Sequence, residues 1–369
     1  MTSGTVADGS RALRVGIVGG GFMARTHAHA ARAAGAEVAA ILSSAPDRTA
    51  QAAAELAVPH AAASLDELID RVDVVHVCSP NRWHLEQSLA VLAAGTHVVC
   101  EKPLATTAAD ASRLVEAAGS LVATVPFVYR FHPMAREARA RVAAGGIGRL
   151  LTLRGSYLQD WLLGPGEQNW RVDPVAGGAS RAFGDIGSHL VDLLEFVTGD
   201  RIARIAARTQ TAHPERAGSE VRTEDAVAVV VETAGGAIGS LLVSQVAAGR
   251  KNALTIEVSG TDGAVAFDQE HPDELWLGGQ DASSVVSRDA AILSADAARL
   301  SVVPSGHPMG YLDAFTGFAR DTYAAIRGER PDGLPRFADG ARAAVLTEAV
   351  LAAAAEDRWI DIPTEGLTT

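Results

Sequence analysis

The stretch RVGIVGGGFMA, residues 14–24, decides the fold of this chain. Its first five residues form an apolar run that predicts a short buried strand, and a helical pattern follows the glycines. The spacing G-x-G-x-x-A is typical of turns that bind dinucleotides. Gly19 permits the tight turn, Gly21 lets the backbone approach a pyrophosphate, and Ala24 lets the helix pack closely on the strand. Since a strand and a helix flank the turn, we predict a cofactor site rather than a plain glycine turn. Its expected contacts are Gly19, Gly21, Phe22, Met23 and Ala24.

Predicted strands and helices alternate through the first third of the chain. The strands are expected at residues 37–42, 73–78, 96–99 and 121–125, with helical windows between them. Consecutive βαβ units imply a parallel sheet that is wound on both faces. The N-terminal part is therefore predicted to be an α/β Rossmann domain with a doubly wound parallel sheet.

The pattern changes after about Pro126. Turn signals such as AGG at 234–236 and TDG at 261–263 separate a series of predicted strands. These strands are expected at 150–157, 202–211, 223–232, 237–246, 253–259 and 264–267, and helices at 310–327 and 338–355. Residues 280–301 have no clear period and are expected to form a surface excursion.

Composition limits the class of protein. The chain has 369 residues, of which 48% are hydrophobic, and a formal net charge of -12. This length favours two domains, and the negative charge argues against a protein that binds nucleic acid or anionic membranes. Apolar runs fall short of the roughly 18 residues that a membrane span needs.

The cysteines and the N-terminus indicate a compartment. Cys78 and Cys100 lie in apolar runs, which predicts buried reduced thiols and a cytoplasmic location. Residues 1–11 are polar and have no hydrophobic signal region, so a disordered tail is expected rather than a signal peptide.

Two hydroxyls and a guanidinium follow the second predicted strand. An NAD site usually has Asp or Glu here, about 20 residues after the glycines, to accept hydrogen bonds from the ribose. This chain has Ser43, Ser44 and Arg48 instead. The set suits a 2′-phosphate, so NADP is expected in preference to NAD. The alternative is an NAD site that tolerates serine, with Arg48 solvated.

The stretch VVCEKPL, residues 98–104, places Lys102 at the carboxyl end of a predicted strand, where open α/β sheets bind ligands. The neighbouring strand ends in SPNRWH, residues 79–84, which is expected beside the nicotinamide ribose. Asn81 and His84 either hydrogen-bond that ribose or cap and pack the following helix. The expected cofactor contacts at this edge are Ser79, Pro80, Asn81, His84, Glu101 and Lys102.

These motifs resemble the Gfo/Idh/MocA family, named for glucose-fructose oxidoreductase and inositol dehydrogenase. The glycine turn, SPN at 79–81 and EKP at 101–103 occur in the family order. FVYRFHP at 127–133 resembles the interdomain segment, and NWR at 169–171 with GDIGSHLVD at 184–192 resembles the second-domain signature. The resemblance extends over most of the chain.

The resemblance implies a C-terminal α+β domain with a large, mostly antiparallel open sheet. The open face of that sheet commonly packs against another subunit, so a homodimer or homotetramer is expected. The expected division is a tail at 1–11, an NAD(P)-binding Rossmann domain at 12–126, and a domain for substrate binding and oligomerisation at 127–369.

Three residues are expected to carry the chemistry. Asp185 and His189 are spaced i, i+4, so on a helix they share one face. His189 can take a hydroxyl proton, and Asp185 can hold a substrate hydroxyl or orient His189. Lys102 can stabilise the charge on the reacting oxygen. The resemblance assigns all three to the catalytic centre. The alternatives are a helix N-cap for Asp185 and a packed core imidazole for His189.

Substrate contacts are expected around a Gly/Pro loop and the interdomain segment. Indoles offer apolar faces to sugar C–H groups, and polar side chains offer hydrogen bonds to hydroxyls. The alternative is an interface loop anchored by tryptophans. The candidates besides Asp185 and His189 are Tyr129, Arg130, Gln159, Asp160, Trp161, Trp170, Arg171 and His307. The spacing of Cys, His and Asp does not match a metal site, so no metal is expected.

These features predict an NAD(P)-dependent oxidoreductase that acts on a ring hydroxyl or carbonyl of a sugar, sugar derivative or cyclitol. One alternative is a glycoside-processing enzyme that oxidises a hydroxyl transiently, eliminates, and recycles a bound cofactor. Another is a non-catalytic sensor that binds the nucleotide and a sugar.

Overall fold

The computed structural model describes residues 11–167, 169–216 and 218–364. The N-terminal unit alternates strands and helices: β1 (Arg14–Val18), α1 (Phe22–Ala33), β2 (Glu37–Leu42), α2 (Pro46–Glu55), β3 (His60–Ala61), α3 (Leu65–Ile69), β4 (Val74–Val77), α4 (His84–Ala93), β5 (His97–Cys100), α5 (Ala108–Ala118) and β6 (Ala123–Thr124). The six strands form one parallel sheet in the order β3-β2-β1-β4-β5-β6. This order is that of a Rossmann domain, as predicted.

The turn from β1 into α1 depends on glycine. Gly19 has a φ of +129°, and a Cβ there would lie 2.7 Å from the carbonyl oxygen of Cys78. Only glycine fits such a position without strain. The Gly19 N–H donates to the carbonyl of Leu42 at 2.7 Å, which ties the turn to the end of β2. The turn therefore lies at the carboxyl edge of the sheet.

The C-terminal unit is built on a second sheet. The elements after β6 are α6 (Pro133–Ala143), β7 (Leu150–Leu158), α7 (Pro174–Gly177), α8 (Ser188–Thr198), β8 (Ile202–Gln210), β9 (Glu215–Arg216), β10 (Ser219–Glu220), β11 (Ala226–Thr233), β12 (Ile238–Ser244), β13 (Ala253–Gly260), β14 (Ala264–Asp268), β15 (Glu274–Gly278), β16 (Ser284–Ser287), α9 (Ala295–Leu300), α10 (Tyr311–Ile326), α11 (Phe337–Glu356) and β17 (Ile360–Asp361). Nine strands pair in the order β16-β15-β14-β13-β7-β12-β11-β8-β17, with β9 and β10 as a separate hairpin. Apart from the parallel pair β7/β12, the pairs in this sheet are antiparallel. The predicted fold class is confirmed.

The two faces of the second sheet differ. On β11, Val227, Val229 and Val231 are buried under α6, α8 and α11, because alternate residues of a strand face the same side. Val230 points the other way and is 48% exposed. Ile238 and Leu242 on β12 are exposed on the same open face. An apolar sheet face without a covering layer in the described chain is a feature of interaction surfaces.

Residues 280–301, expected to form a surface excursion, contain two short elements. β16 pairs with β15 at the edge of the sheet, and α9 is capped by the side chain of Ser294. Neither element was predicted, because elements of four and six residues are too short to show a hydrophobic period. The tail predicted at 1–11 lies outside the described residues, except for Arg11, which contacts Asp73 at 2.9 Å.

Helix α10 completes the core of the N-terminal unit. It packs against α1 and buries Phe315 and Phe318 among the residues of the first sheet. The domain boundary at residue 126 stays a prediction, because α10 follows that residue in the sequence and yet belongs to the core of the N-terminal unit. Within the described ranges, no helix combines the length and the apolar character that a membrane crossing requires. Cys78 and Cys100 are free thiols, and burial raises the pKa of Cys100 to about 12.

Candidate active site

A cleft of about 1450 Å³ runs along the carboxyl edge of the parallel sheet, between that sheet and the C-terminal unit. Ligands of open α/β sheets bind at this edge. The predicted site residues that line it are Gly19, Gly21, Phe22, Met23, Ser43, Ser44, Arg48, Ser79, Pro80, Asn81, His84, Glu101, Lys102, Tyr129, Gln159, Trp170, Arg171, Asp185 and His189. Ala24 lies beneath the turn, fully buried, as its packing role requires.

The start of α1 has the properties of an anion cradle. Gly21 is the N-cap, and the first turn of the helix has no acidic residue. A Cβ built on Gly21 would meet no described atom within 4 Å, so the protein itself does not require glycine here. The first N–H groups of a helix have no partner within it and attract negative charge. The open space at Gly21 therefore fits a phosphate group.

Lys102 and Asp185 meet across the cleft from opposite units. Lys102 Nζ donates to Asp185 Oδ1 at 2.6 Å and to the Asp185 carbonyl at 2.9 Å. Gln245 Nε2 donates to Asp185 Oδ2 at 2.9 Å, and Arg171 Nε lies 3.4 Å from Oδ1. Burial opposes the ionisation of Asp185, but the charges of Lys102 and Arg171 outweigh it and hold the pKa of that carboxyl well below its usual range. Asp185 is thus an anion that holds the lysine ammonium.

His189 lies in an aromatic pocket beside this ion pair. Its ring makes edge contacts with Tyr129, at 5.0 Å between centroids, and with Phe127, at 5.6 Å. Burial, and then the charge of Lys102, lower the pKa of His189 well below its usual value. Its Nδ1 is buried without a described hydrogen-bond partner. Among the described residues, the side-chain hydrogen bonds to the two Asp185 carboxylate oxygens come from Lys102 and Gln245 and not from His189.

A hydrogen-bonded group of polar side chains lines the cleft beside His189. Asn252 Oδ1 accepts from the Tyr157 hydroxyl at 2.7 Å and from Gln159 Nε2 at 2.8 Å. Asn252 Nδ2 donates to the Tyr129 hydroxyl at 3.1 Å. The Trp161 indole donates to Gln159 Oε1 at 2.7 Å. This network fixes the orientation of each side chain, which is what a selective pocket for a polar ligand needs.

The end of the cleft next to β2 contains the groups expected to choose the nucleotide. Ser44 and Arg48 are exposed and Ser43 is half-buried at the end of β2 and the start of α2. Arg48 forms no ion pair within the described part of the chain, whereas Arg25 on the same rim lies 3.5 Å from Glu55.

Two residues expected to contact the nicotinamide ribose have other partners. His84 is fully buried, and its two ring nitrogens lie 2.7 Å and 2.9 Å from the carbonyls of Pro103 and Ser79. Asn81 Nδ2 donates to the carbonyl of Gly177 at 2.8 Å. The packing interpretation therefore fits His84, which joins the two loops at this edge. Asn81 ties the edge to the C-terminal unit.

Four of the expected substrate contacts lie outside the lining of the cleft. Arg130 is buried against Asp192 and Asp339. Asp160 is held by Lys251 at 2.7 Å. Trp161 contacts Gln159 from behind, and His307 is exposed on a loop whose carbonyl accepts from Arg288. The polar groups of Arg130, Asp160 and Trp161 are hydrogen-bonded within the protein, so these three side chains stabilise the surroundings of the site.

Three residues of this site were not predicted from the sequence: Gln245, Asn252 and Tyr311. A signal for Gln245 was present. Leu241, Val243 and Gln245 follow one another at alternate positions, and all three are buried. A polar residue in the buried register at the end of a strand indicates a partner inside the protein, which here is Asp185.

Comparisons with known proteins agree with this geometry. A family model for oxidoreductases with an NAD-binding Rossmann fold (GFO_IDH_MocA) matches residues 13–126, and the model of the GFO/IDH/MocA C-terminal domain matches residues 135–266. The fold and the site thus define an oxidoreductase with an NAD-binding domain. The chain belongs to the Gfo/Idh/MocA family.

Relatives that match nearly the whole chain include levoglucosan dehydrogenase of Pseudarthrobacter phenanthrenivorans, which is 32% identical over 95% of this chain and 98% of its own length. A solved structure of levoglucosan dehydrogenase in complex with NADH and levoglucosan has a TM-score of 0.90 and 30% identity, and covers 96% of this chain and 100% of its own. An inositol dehydrogenase homologue from Azotobacter vinelandii in complex with NAD+ has a TM-score of 0.88 and 28% identity, and covers 96% and 98%. The chain is accordingly an NAD(P)-dependent oxidoreductase.

The described residues fit a nicotinamide dinucleotide. The open N-terminus of α1 at Gly21 suits the pyrophosphate, and the exposed Ser44 and Arg48 suit the adenosine end. Lys102, Asp185 and His189 line the same cleft and offer an ammonium, a carboxylate and an imidazole.

Proposed function

We propose that this protein oxidises a secondary hydroxyl on the ring of a sugar, a sugar derivative or a cyclitol, with NAD(P)+ as the hydride acceptor. Reduction of the corresponding carbonyl is the reverse reaction of the same site. The proposal depends on one observation. An ammonium from the Rossmann unit and an imidazole from the sheet unit line the same cleft as the glycine turn.

The nicotinamide, when bound, accepts the hydride from the carbinol carbon. The chain supplies the rest. The lowered pKa of His189 keeps its ring neutral at pH 7, so the ring is ready to take the hydroxyl proton. The Lys102 ammonium has three N–H donors, and two of them donate to Asp185, one to its carbonyl oxygen and one to Oδ1. The third is left to stabilise the negative charge that develops on the substrate oxygen.

Asp185 acts in this mechanism as an anchor rather than as a base. Its two oxygens accept from Lys102 and Gln245, and its low pKa means that it does not take up a proton at neutral pH. Because Lys102 lowers the pKa of His189 and Asp185 raises it, the ion pair also sets the basicity of the imidazole.

The substrate class is inferred from the walls of the cleft and from the relatives. The Trp170 indole offers an apolar face and carries the Arg171 guanidinium, whose Cζ lies 4.5 Å from the ring centroid. The hydrogen-bonded side chains of Asn252, Tyr129 and Tyr157 offer hydroxyl and amide groups. An apolar face beside fixed polar groups suits a polyhydroxylated ring. Relatives named for levoglucosan, inositol and glucosides support this class.

A turnover screen tests the proposal. The purified protein is incubated with anhydrosugars, cyclitols, glycosides and aldoses, each with NAD+ and with NADP+, and reduced nicotinamide is followed by its absorbance. We expect reduced cofactor in proportion to oxidised sugar. Sugar breakdown without net reduced cofactor would indicate oxidation and elimination with a recycled cofactor. Sugar binding without turnover would indicate a sensor.

We further propose that the protein prefers NADP to NAD. Ser43, Ser44 and Arg48, which has no ion pair among the described residues, suit a 2′-phosphate, and the sequence has no acidic residue at the end of β2. Dissociation constants for NADPH and NADH, measured side by side, decide the matter. A lower constant for NADH contradicts this preference.

We also propose that two or four copies assemble through the open face of the second sheet in the cytoplasm. The exposed Val230, Ile238 and Leu242 on this face support the contact. Light scattering after gel filtration should give a multimer, and Val230→Glu together with Leu242→Glu should dissociate it. A monomeric wild-type protein would contradict the proposed assembly.

A further inference from the structure

A line of buried side chains connects the core of the Rossmann unit to the lysine turn. It consists of Tyr323 on α10, His76 on β4, His27 on α1 and Glu101 after β5. The Tyr323 hydroxyl lies 3.2 Å from His76 Nε2, and His76 Nδ1 lies 2.9 Å from His27 Nδ1. His27 Nε2 lies 2.9 Å from Glu101 Oε1. Elements that are distant in sequence therefore meet in one chain of hydrogen bonds that ends at the cleft.

Donor and acceptor capacities set the direction of these hydrogen bonds. An ionised carboxylate only accepts, so His27 Nε2 carries the proton toward Glu101. His27 Nδ1 then accepts from His76 Nδ1–H, and His76 Nε2 accepts from the Tyr323 hydroxyl. If His27 were an imidazolium, the direction beyond it would reverse. The buried Tyr323 hydroxyl proton would then lack a partner among the described residues, which is costly. All the bonds therefore point toward Glu101.

Glu101 connects this line of hydrogen bonds to the backbone of Lys102. Its Oε2 accepts from the backbone N–H of Lys102 at 3.0 Å, so both carboxylate oxygens are used within the protein. The far end of the lysine is held by Asp185 at 2.6 Å. Lys102 is thus fixed at its backbone by the Rossmann unit and at its ammonium by the sheet unit.

We propose that His27 is a positioning residue of the reaction: through Glu101 it holds the backbone of Lys102 and couples it to α1, the helix that begins at the cofactor cradle. His27 is buried and does not line the cleft, so it acts through Glu101 and not on the substrate. The inference rests on the proposed function, because the position of Lys102 matters only if Lys102 acts on the substrate oxygen.

Two amide substitutions separate positioning from mere packing. The amide nitrogen of Gln reaches about as far as Nε2 of His, whereas that of Asn reaches only to Nδ1. His27→Gln therefore keeps a donor for Glu101, and His27→Asn loses it. We expect kcat for sugar oxidation to fall about 10- to 100-fold in His27→Asn and to stay near the wild-type value in His27→Gln. His29→Asn, at an exposed position of the same helix, is the matched control and should leave kcat unchanged.

The dissociation constant of NADH and the melting temperature are measured for each variant. We expect both variants to bind NADH, since the glycine turn is intact. Equal kcat in the Gln and Asn variants overturns the positioning role while leaving the proposed function in place. Absence of sugar turnover by the wild type overturns both.

A measurement on the wild type covers the case in which His27→Asn does not fold. Nitrogen-15 NMR of labelled histidine distinguishes the two neutral tautomers. We expect the proton on Nε2 in His27 and on Nδ1 in His76. The opposite tautomers, or a charged His27 ring at pH 7, overturn the direction of the line and with it the inference.

Discussion

Substitution of the two outer glycines of the first turn should have opposite consequences. Gly21→Ala places a methyl group where it meets no described atom within 4 Å, at φ -90° and ψ -160°, which alanine adopts readily. The free energy of unfolding should stay the same or rise by about 0.4–1 kcal/mol, because alanine restricts the unfolded chain. The methyl group occupies the space for the pyrophosphate, so affinity for the cofactor should fall at least about tenfold, or roughly 1.4 kcal/mol.

Gly19→Ala should instead damage the fold. Its φ of +129° costs an L-residue about 1–3 kcal/mol, and the new Cβ would lie 2.7 Å from the carbonyl oxygen of Cys78. Backbone at the end of β4 must then shift. The melting temperature of this variant should therefore fall in the absence of any cofactor.

Thermal melts with and without NADH, together with NADH titrations by fluorescence, compare the two variants. A ligand at about 100 times its dissociation constant stabilises the folded protein by about 2.7 kcal/mol, and a tenfold weaker ligand by roughly half of that. In Gly21→Ala this stabilisation by NADH should fall by half or more, while the stability without cofactor is retained. A folded Gly21→Ala variant that binds NADH as tightly as the wild type would refute the assignment of the cradle.

The other predictions concern the chemistry, the nucleotide and the pH dependence. Gln245→Leu should lower kcat more than it raises the sugar KM, because Asp185 Oδ2 loses the hydrogen bond that Gln245 donates. Assays at saturating cofactor measure the change in kcat, and an unchanged kcat contradicts this prediction. Arg48→Ala should weaken NADPH about tenfold and NADH little if the guanidinium holds a 2′-phosphate; parallel titrations that show equal losses would contradict this. An NMR titration should give the His189 ring a pKa below the ordinary value of 6.5. The pKa should be lower still in Asp185→Asn, because the anion that raises it is lost. A titration midpoint above 6.5 contradicts the mechanism. Burial lowers the pKa of His132 to about 4 in the folded protein. As the pH falls, the histidine is therefore protonated in the unfolded state before it is protonated in the folded state. The free energy of unfolding should drop by about 3 kcal/mol between pH 6.5 and 4. His132→Leu should remove that part of the pH dependence in chemical denaturation.

The parts of the fold that depend on local pattern were predictable. The apolar run of β1, Gly19 in its tight turn and the alternating β11 each carry a signal within a few residues, and each is found as expected. The length of an element limits such predictions. β16 and α9 lie inside residues 280–301 and went unnoticed, because four or six residues give no readable period.

Site residues that belong to a sequence motif were predictable, whereas contacts between residues that are distant in sequence were not. Lys102, Asp185 and His189 stand in motifs, and the structure brings them together. Gln245 reaches Asp185 over 60 positions in sequence. The buried register marks Gln245 itself, but nothing near it in sequence identifies Asp185 as its partner. Arg130 shows the reverse error: a cation in a motif was expected to bind substrate, yet its guanidinium pairs with the buried Asp192 and the half-buried Asp339.

The most direct test of the account is a single-turnover assay with cofactor bound and a sugar identified by the screen. Formation of reduced nicotinamide is compared in the wild type, Lys102→Met and His189→Ala, after each variant is shown to bind NADH. We expect both variants to bind the cofactor and to form reduced nicotinamide about 10²- to 10⁴-fold more slowly, because each lacks a group that acts on the substrate oxygen. Rates within a few-fold of the wild type in both variants would contradict the convergence of Lys102 and His189 on one alcohol oxygen.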